Sequence, residues 1–299
     1  MNDHADLSSA AEPDNPAPLC RAVDNPATLP RDARLPINRC NLPAVILGSA
    51  TFQQHPTPLE LDGVRELHAD LFRRLAAEPD PAARAGVFAD YMTVHFLLEQ
   101  PERAGFAPGS SRARTKANYR RMLRGWSVDA DSREGAVLKG WIESRFGLTP
   151  RFHREPLRDP SSPAYLGYQE MRAQGLYGTH ALEAQFDLVY AYCQYELARR
   201  HPGCSHVTLY RGINRVDEHE VLAEHTTAQG GQHLRLLLNS LNSFTCNRDR
   251  ACEFGDHILS VNVPLAKVFF YCGLLPGLLQ GEDEFLVIGG VYEVERSPY

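Results

Sequence analysis

The chain has 299 residues, of which 43% are hydrophobic and 23% charged, as in globular proteins that bury a full hydrophobic core. Its net charge of -6 argues against non-specific nucleic-acid binding, because such binding needs a surplus of cations to displace phosphate counterions. The sequence contains no run of eighteen apolar residues, and its start lacks the basic and apolar regions of a signal peptide. We therefore expect no nucleic-acid partner, no membrane span and a cytoplasmic location.

The cysteines argue against a disulfide framework. They number seven, are widely scattered and include no C-x-x-C pair, which also makes a zinc ribbon improbable. Cys246 and Cys252 are six positions apart with histidines nearby, a spacing that leaves metal binding open. We expect buried free thiols at both positions instead.

The N-terminal part of the sequence predicts a lead-in followed by a mainly helical region. Residues 1–36 are rich in proline and lack apolar periodicity, so we expect a flexible or extended segment. In the region 37–203, a short apolar run at 44–48 fits either a first strand or a docked segment. A loop rich in charge and proline is expected from 150 to 163. Helices are predicted over 61–75, over 81–99 with Val87, Tyr91, Val94 and Leu98 on one face, over 133–146, and over 179–200 with an apolar stripe from Leu182 to Leu197.

A basic stretch interrupts this otherwise acidic protein. It contains Arg112, Arg114, Lys116, Arg120, Arg121 and Arg124. One interpretation is a docking face for an acidic partner. The other, which we favour, is the solvated face of a helix whose apolar side is Tyr119, Met122, Leu123 and Trp126.

After residue 203 the composition changes to short β-rich runs, which makes the predicted fold class α+β. A leucine-rich helix is expected among the strands, around Leu234, Leu237, Leu238 and Leu241. Strands are predicted over 206–210, 257–263, 268–272, 285–288 and 291–294.

Two short motifs in this C-terminal part carry residues suited to binding. Arg211 and Gly212 end the first predicted strand, where a guanidinium suits a phosphate or carboxamide and a glycine lets the backbone approach a ligand closely. Ser243 and Thr245 flank Phe244 at alternate positions, so both hydroxyls should point to one side of a strand. Either motif alone is also compatible with ordinary sheet structure.

A third motif places Glu282 and Glu284 two positions apart at the start of a hydrophobic strand. We expect both carboxylates to project from the same side. Like charges this close repel each other, which is costly in a structural role and common where a site stabilises positive charge. The pair alone also fits an acidic loop tip before an edge strand, but its position after Arg211 and Ser243 favours a functional site that acts on a cation.

Together these motifs resemble the Arg-Ser-Glu signature of mono-ADP-ribosyltransferases, which combines Tyr-Arg-Gly, a hydroxyl-rich strand followed by Ala-x-x-Phe, and Glu-x-Glu before a hydrophobic strand. Ala251 and Phe254 occupy the Ala-x-x-Phe positions. Phe244 and Thr245 depart from the usual threonine and serine, although Thr245 keeps a hydroxyl. Over its whole length the chain resembles the branch of this superfamily that modifies the nitrogenase iron protein. The resemblance implies a mainly helical N-terminal part packed on a split β-sandwich, with 204–299 as the catalytic core.

The resemblance implies transfer of ADP-ribose from NAD to a protein arginine, without a metal. Breaking the bond between ribose and nicotinamide builds positive charge on the ribose, which a nearby carboxylate stabilises. Glu284 is expected to hydrogen-bond the ribose 2′-hydroxyl. Glu282 would orient the incoming guanidinium and accept a proton as attack proceeds.

The remaining motif residues are expected to bind NAD. Arg211 would contact its phosphates or the adjacent ribose, and the Gly212 backbone the nicotinamide amide. Ser243 would hold the nicotinamide ribose or orient Glu284, with Thr245 in support. Phe244 is placed in the same site, with contacts that the sequence leaves open.

The resemblance also implies partners. The target would be the nitrogenase iron protein, whose modification reversibly switches off nitrogen fixation, and a signalling protein of the PII class would help to activate the enzyme. The loop 273–281 lies where this family reads its target. Its four leucines are too many for a solvated loop, so they are either partly buried or a contact patch, and we expect target contact.

Two other functions remain open from the sequence. An NAD glycohydrolase would use water as acceptor, although Glu282 argues against it because that position is tied to arginine acceptors. The other is a non-catalytic module that binds NAD or docks to a protein.

Overall fold

The computed structural model describes residues 27–99, 117–177, 181–226, 231–279 and 283–298. Helices dominate up to Arg200 and strands thereafter, which confirms the expected α+β class. The helices of these ranges are α1 (Ala44–Leu47), α2 (Ala50–Gln54), α3 (Val64–Leu67), α4 (Ala69–Ala77), α5 (Pro81–His95), α6 (Tyr119–Val128), α7 (Arg133–Phe146), α8 (Pro163–Leu176), α9 (Ala181–Arg200) and α10 (Arg248–Cys252). The strands are β1 (Arg151–Phe152), β2 (Glu155–Pro156), β3 (His206–Ile213), β4 (Glu220–Thr226), β5 (Gln232–Thr245), β6 (His257–Pro264), β7 (Val268–Tyr271) and β8 (Glu284–Pro298).

Polar side chains determine where several helices begin. Asn118, Ser132 and Ser162 precede α6, α7 and α8, and each side-chain oxygen accepts a backbone N–H of the first turn. Pro163 follows Ser162 at the first helical position, where its fixed backbone angle is favourable. This start signal belongs to α8, which the apolar periodicity did not predict, and the loop expected before it contains the hairpin β1–β2.

The predicted apolar faces of α6, α7 and α9 are confirmed. Helix α9 buries the stripe from Leu182 to Leu197, and α7 spans the predicted 133–146. On α6 the expected apolar residues are buried, whereas Arg121 and Arg124 are exposed, which fits both a solvated helix face and a docking face. Residues 112, 114 and 116 lie outside the described ranges.

Two predictions for the first helices were wrong. The run at 44–48 is the short helix α1, whose Ala44 and Leu47 lie in the main core, so of the two alternatives the docked segment is present and the strand is not. The helix predicted over 61–75 is divided into α3 and α4 with Leu67 exposed. Helix α5 ends at His95 and buries the face of Ala85, Phe88 and Met92 instead of the face with the exposed Val94. That face is chosen by α9, on which Phe88 stacks against Tyr192 with ring centroids 4.1 Å apart.

Residues 27–36, the part of the predicted lead-in that the structure describes, pack against the main core. Leu29 and Ala33 are buried in the main core, and Ala50 donates a backbone hydrogen bond to Ala27. Of the two alternatives for the segment 1–36, flexible or extended, the packing of residues 27–36 contradicts the flexible one, while residues 1–26 lie outside the described ranges. None of the described helices has the length and apolar character needed to cross a membrane.

The main sheet has the strand order β4-β5-β3-β6-β8-β7, with an additional pairing of β5 to β8. The leucine-rich segment predicted as a helix is strand β5, which pairs with β3, β4 and β8. A strand covered on both faces has the same continuous apolar run as a buried helix, so periodicity could not separate the two. Two predicted strands, 285–288 and 291–294, are halves of β8, and β4 was not predicted.

A bend divides both long strands. Between the pairs Leu238–Gly290 and Leu241–Ile288, two residues of β5 face one residue of β8, the pattern of a β-bulge. A Cβ atom on Gly289 would lie 1.7 Å from the Asn239 carbonyl oxygen, so only glycine fits there. The bend lets one half of β8 pair with β7 and the other half with β6, and thereby splits the sheet.

Helix α2 fills the gap where β6 and β8 separate. The Gln53 side chain donates to the carbonyls of Asn262 (3.2 Å) and Glu293 (2.9 Å) and accepts from the Glu293 N–H (2.7 Å). These bonds replace the strand pairing that ends at Ser260–Glu295. The N-terminal helices are thus joined to the sheet by backbone-satisfying bonds as well as by apolar contacts.

Lys267 also stabilises the bend at Gly289. Its Nζ is buried and donates to the Gly289 carbonyl at 2.7 Å, with the Tyr292 ring centroid 4.7 Å away. Burial lowers the pKa of Lys267 to about 7. The buried hydrogen bond from Lys267 therefore holds the Gly289 carbonyl in place at the bend.

Replacing Gly289 by alanine tests the bend. We expect Gly289→Ala to destabilise the protein by about 3 kcal/mol, because two strands must move apart to admit the methyl group. Gly86→Ala is the matched control: it lies on the exposed face of α5 with no atom within 4 Å of the added Cβ, and should stabilise by about 0.5–1 kcal/mol. Urea unfolding of both variants measures the change in the free energy of unfolding. Equal changes of the same sign would contradict the requirement for glycine at position 289.

Candidate active site

A cavity of about 520 Å³ lies between the helical region and the sheet. Its walls include Trp126 of α6, Lys139 of α7, Arg211 of β3, Ser243 of β5 and Glu284 of β8. Both halves of the chain therefore contribute side chains, with polar and charged groups concentrated around one opening. This combination is typical of a binding site for a polar small molecule.

Ser243 and Glu284 meet at the floor of the cavity. In the β5–β8 pairing Thr245 faces Glu284 and Ser243 faces Leu286, which brings Ser243 diagonally beside the first residue of β8. Ser243 Oγ donates a hydrogen bond to Glu284 Oε1 at 2.5 Å, and Glu284 is 5% exposed. This contact is the one that the second alternative for Ser243, orienting Glu284, requires, and the role of Ser243 toward NAD stays a prediction.

Trp126 completes this arrangement and was not predicted as a site residue. Its Nε1–H donates to Ser243 Oγ at 2.9 Å, although the two residues are 117 positions apart. The sequence placed Trp126 only on the apolar face of a basic helix. Its hydrogen bond depends on how α6 docks against β5, for which the sequence contains no local signal.

Arg211 lies across the cavity from Trp126 on β3. Its Nη1 donates to the Ser243 carbonyl at 2.6 Å, while its Nε is buried without a hydrogen-bond partner among the described residues. Burial lowers the pKa of Arg211, and the negative charge of Glu284 opposes that shift. A buried guanidinium with an unused donor is suited to an anionic or strongly polar ligand.

Gly212 lines the cavity beside Arg211, but packing against α10 explains why this position must be glycine. A Cβ atom there would lie 2.0 Å from the Ala251 carbonyl oxygen of α10. The missing side chain lets α10 pack against β3, with Phe254 after α10 at the cavity wall. The expected backbone contact with a ligand stays a prediction.

Thr245 and Phe244 both line the cavity, as predicted, and both are buried. Thr245 Oγ1 accepts the Asn247 N–H at 3.2 Å and so stabilises the turn into α10. The Phe244 ring centroid lies 6.0 Å from the Arg211 guanidinium carbon. The contact that the sequence left open is therefore with the arginine of the site.

A second group of basic residues, missed by the sequence, comes from the helical region. Lys139 is buried and paired with Asp131, and burial lowers the pKa of Lys139 against the opposing charge of Asp131. Arg151 lies on the hairpin that Asn239 holds against β5, since the Asn239 side chain bonds both the N–H and the carbonyl of Arg151. His219 also faces the cavity, and burial together with the Arg211 charge lowers its pKa.

Glu282 lies outside the described residues, so its orientation toward the site stays a prediction. The described chain resumes at Asp283, whose φ of 50° is left-handed and turns the backbone into β8. Glu284 then begins the strand, as expected. Its backbone carbonyl accepts the Cys272 N–H at 2.7 Å.

Two expectations near the site were wrong. The leucines of the loop 273–281 are core residues, because Leu274, Leu275 and Leu278 are each 1% exposed and Leu279 is 8% exposed. They anchor the loop and do not form a contact patch. Cys246 and Cys252 are free, but Cys246 is exposed and Cys252 half-buried instead of both being buried.

Comparison with known proteins agrees with the site. A family model described as dinitrogenase reductase ADP-ribosyltransferase (DRAT) matches residues 37–296. The chain belongs to this family. A curated relative, the NAD(+)–dinitrogen-reductase ADP-D-ribosyltransferase of Rhodospirillum rubrum, is 41% identical over 264 residues, which cover 87% of this chain and 94% of the relative. No solved structure matches the chain.

Family membership confirms the resemblance inferred from the motifs and the expected enzyme class, an ADP-ribosyltransferase. NAD is the donor named for the relative. The roles of the individual residues remain predictions, since they depend on geometry alone.

Replacing Ser243 tests the hydrogen-bonded floor of the cavity. We expect Ser243→Ala to lower the free energy of unfolding by about 1–2 kcal/mol, because the buried Trp126 N–H loses its acceptor. Ser240→Ala on the same strand is the control, since the contact that the buried Ser240 Oγ makes among the described residues is a long one, 3.5 Å to Asn239, and should change stability by about 0.5 kcal/mol or less. If Ser243→Ala and Ser240→Ala lowered the free energy of unfolding equally in urea titrations, the Trp126–Ser243 hydrogen bond would make no specific contribution to stability.

Proposed function

We propose that this protein transfers ADP-ribose from NAD to an arginine of dinitrogenase reductase, the iron protein of nitrogenase, and thereby reversibly switches off nitrogen fixation. The observation that carries the proposal is the hydrogen bond from Ser243 to Glu284 at the floor of the cavity, in a chain of the dinitrogenase reductase ADP-ribosyltransferase family. A cavity of about 520 Å³ has room for the nicotinamide nucleotide half of NAD.

Glu284 stabilises the transition state. As the bond from ribose C1′ to nicotinamide breaks, its electron pair leaves with nicotinamide and positive charge builds on the ribose ring. A carboxylate that is 5% exposed acts on this charge through a poorly screened environment. The Ser243 hydroxyl fixes Oε1 of Glu284, and the carboxylate held in this way meets the ribose 2′-hydroxyl.

Arg211 binds the NAD phosphates or the adjacent ribose. Its Nη1 is already used to bind the Ser243 carbonyl, which orients the guanidinium, while Nε has no partner among the described residues. Lys139 and Arg151 add positive charge to the same cavity. The backbone of Gly212 receives the nicotinamide amide, and Thr245 and Phe244 support Ser243 and Arg211 from the buried side.

Glu282 orients the acceptor. It lies two residues before Glu284, on the chain that turns into β8 through Asp283. A carboxylate there holds the target guanidinium bidentately and accepts its proton as the nitrogen attacks C1′. Unassisted deprotonation of the guanidinium is excluded because its pKa lies far above neutral pH.

The catalytic unit is residues 204–299 together with the helical region 37–203, since both line the cavity. A cytoplasmic location and control by a signalling protein of the PII class complete the proposal. Their support is the likeness to the Arg-Ser-Glu transferases that act on nitrogenase.

Glu284→Gln tests the catalytic assignment. We expect nicotinamide release from NAD to fall by about a thousandfold with little change in NAD affinity, because the amide keeps the shape but loses the charge. Glu295→Gln, an exposed glutamate of the same strand, is the control and should retain activity. A Glu284→Gln enzyme with near wild-type turnover, measured by chromatography of released nicotinamide, would refute the role.

Glu282→Gln separates transfer from hydrolysis. The variant should lose ADP-ribose transfer to dinitrogenase reductase, because the acceptor is no longer oriented, while retaining most NAD hydrolysis. Transfer is followed with labelled NAD and the modified residue is identified by mass spectrometry. Equal loss of both activities would contradict the division between the two glutamates, and wild-type protein that binds NAD without cleaving it would favour a non-catalytic module.

A further inference from the structure

The hydrogen bond from Trp126 to Ser243 extends the catalytic geometry into the helical region. Resting on the proposed function, we propose that Trp126 is a positioning residue for NAD cleavage: its indole N–H orients the Ser243 hydroxyl so that this hydroxyl donates to Glu284. The two bonds form a chain from Trp126 Nε1 to Ser243 Oγ (2.9 Å) and from Ser243 Oγ to Glu284 Oε1 (2.5 Å).

The direction of these two hydrogen bonds follows from which groups can donate and which can accept. An indole nitrogen can only donate, and a hydroxyl has one hydrogen and two lone pairs. Once Ser243 Oγ accepts from Trp126, its rotation is restricted and its hydrogen is directed to the carboxylate. Without the indole donor the hydroxyl can rotate away from the carboxylate, and Glu284 loses the hydrogen bond that orients its Oε1. Displacement of the Glu284 carboxylate reduces turnover, because the transition state is stabilised by a negative charge held at one position beside the ribose.

Trp126 is held rigidly enough for this role. Its side chain is 3% exposed. The start of α6 is fixed by Gln185 of α9, whose side chain accepts the Tyr119 N–H at 2.9 Å and donates to the Ala117 carbonyl at 3.1 Å. A Cβ atom on Gly125 would lie 2.5 Å from the Glu134 side chain, so α6 also packs closely against α7.

The second tryptophan of the chain provides a matched control. Trp141 is also buried, and its Nε1 also donates to a carboxylate, Asp187 Oδ1, at 2.7 Å. Asp187 keeps its bonds to Arg145 when the indole is removed. Trp141 does not line the cavity, so Trp141→Phe reports the cost of losing a buried indole bond without touching the site.

The experiment measures nicotinamide release from NAD by the full-length chain. We expect Trp126→Phe to lower kcat about tenfold, which is about 1.4 kcal/mol of transition-state stabilisation, and to leave the KM for NAD within about twofold. Trp141→Phe should leave both constants unchanged while lowering the unfolding temperature. A wild-type kcat in Trp126→Phe, or the same kcat loss in Trp141→Phe, would overturn the inference.

A double-mutant cycle tests whether Trp126 acts through Ser243. If it does, adding Trp126→Phe to Ser243→Ala should cause no further loss of kcat, because the series of hydrogen bonds from Trp126 through Ser243 to Glu284 is already broken. Losses that multiply would show that Trp126 acts independently and would overturn the proposal. Failure of the wild-type protein to cleave NAD at all would instead count against the proposed function, so the two failures are distinguishable.

Fluorescence gives a readout that does not need a folded Trp126 variant. In Trp141→Phe, Trp126 is the sole remaining tryptophan, since the chain has two. Adding Ser243→Ala to this background should shift the emission maximum, because the excited indole loses its hydrogen-bond acceptor. An unchanged spectrum would show that the bond is absent in solution and would overturn the inference.

Discussion

Strands β5 and β8 pair along nearly their whole length and bend together where Asn239 faces Gly289. The contact between Ser243 and Glu284 depends on this pairing. It places Ser243 diagonally beside Glu284, and the bend lets the two halves of β8 pair with different neighbours. Asn239 at the bend also holds the hairpin that carries Arg151. The requirement for glycine at 289 and the buried amine of Lys267 show that the bend is built into the sequence at a cost in free energy.

The helical region and the sheet form one core, and the cavity lies where they meet. Gln53 closes the gap between β6 and β8 on one side, and Trp126 reaches the floor of the cavity from α6. The helical region therefore does more than cover apolar surface. Because α6 carries both exposed arginines and the indole that bonds Ser243, its position is tied to the geometry of Glu284.

Charged groups of both signs line the cavity. Glu284 supplies a negative charge beside Ser243, and the walls carry Arg211, Lys139 and Arg151 together with Asp131 and Glu218. Burial lowers the pKa of Arg211 and of Lys139, so these groups lose more solvation than their present partners return. A polyanionic ligand would compensate that loss. In the proposed function, the phosphates of NAD meet these cations and Glu284 stabilises the ribose.

The sequence by itself determined the fold class, the long helices α7 and α9, and the order of Arg211, Ser243 and Glu284, because periodicity and motif order are properties of neighbouring residues. It did not distinguish β5 from a helix, since a strand buried on both faces has no period of two. The burial of the loop leucines, the face of α5 and the contact from Trp126 to Ser243 were decided only by tertiary structure. Each depends on packing between segments far apart in the chain: Trp126 and Ser243 are 117 residues apart, and no local pattern encodes which side chain meets which.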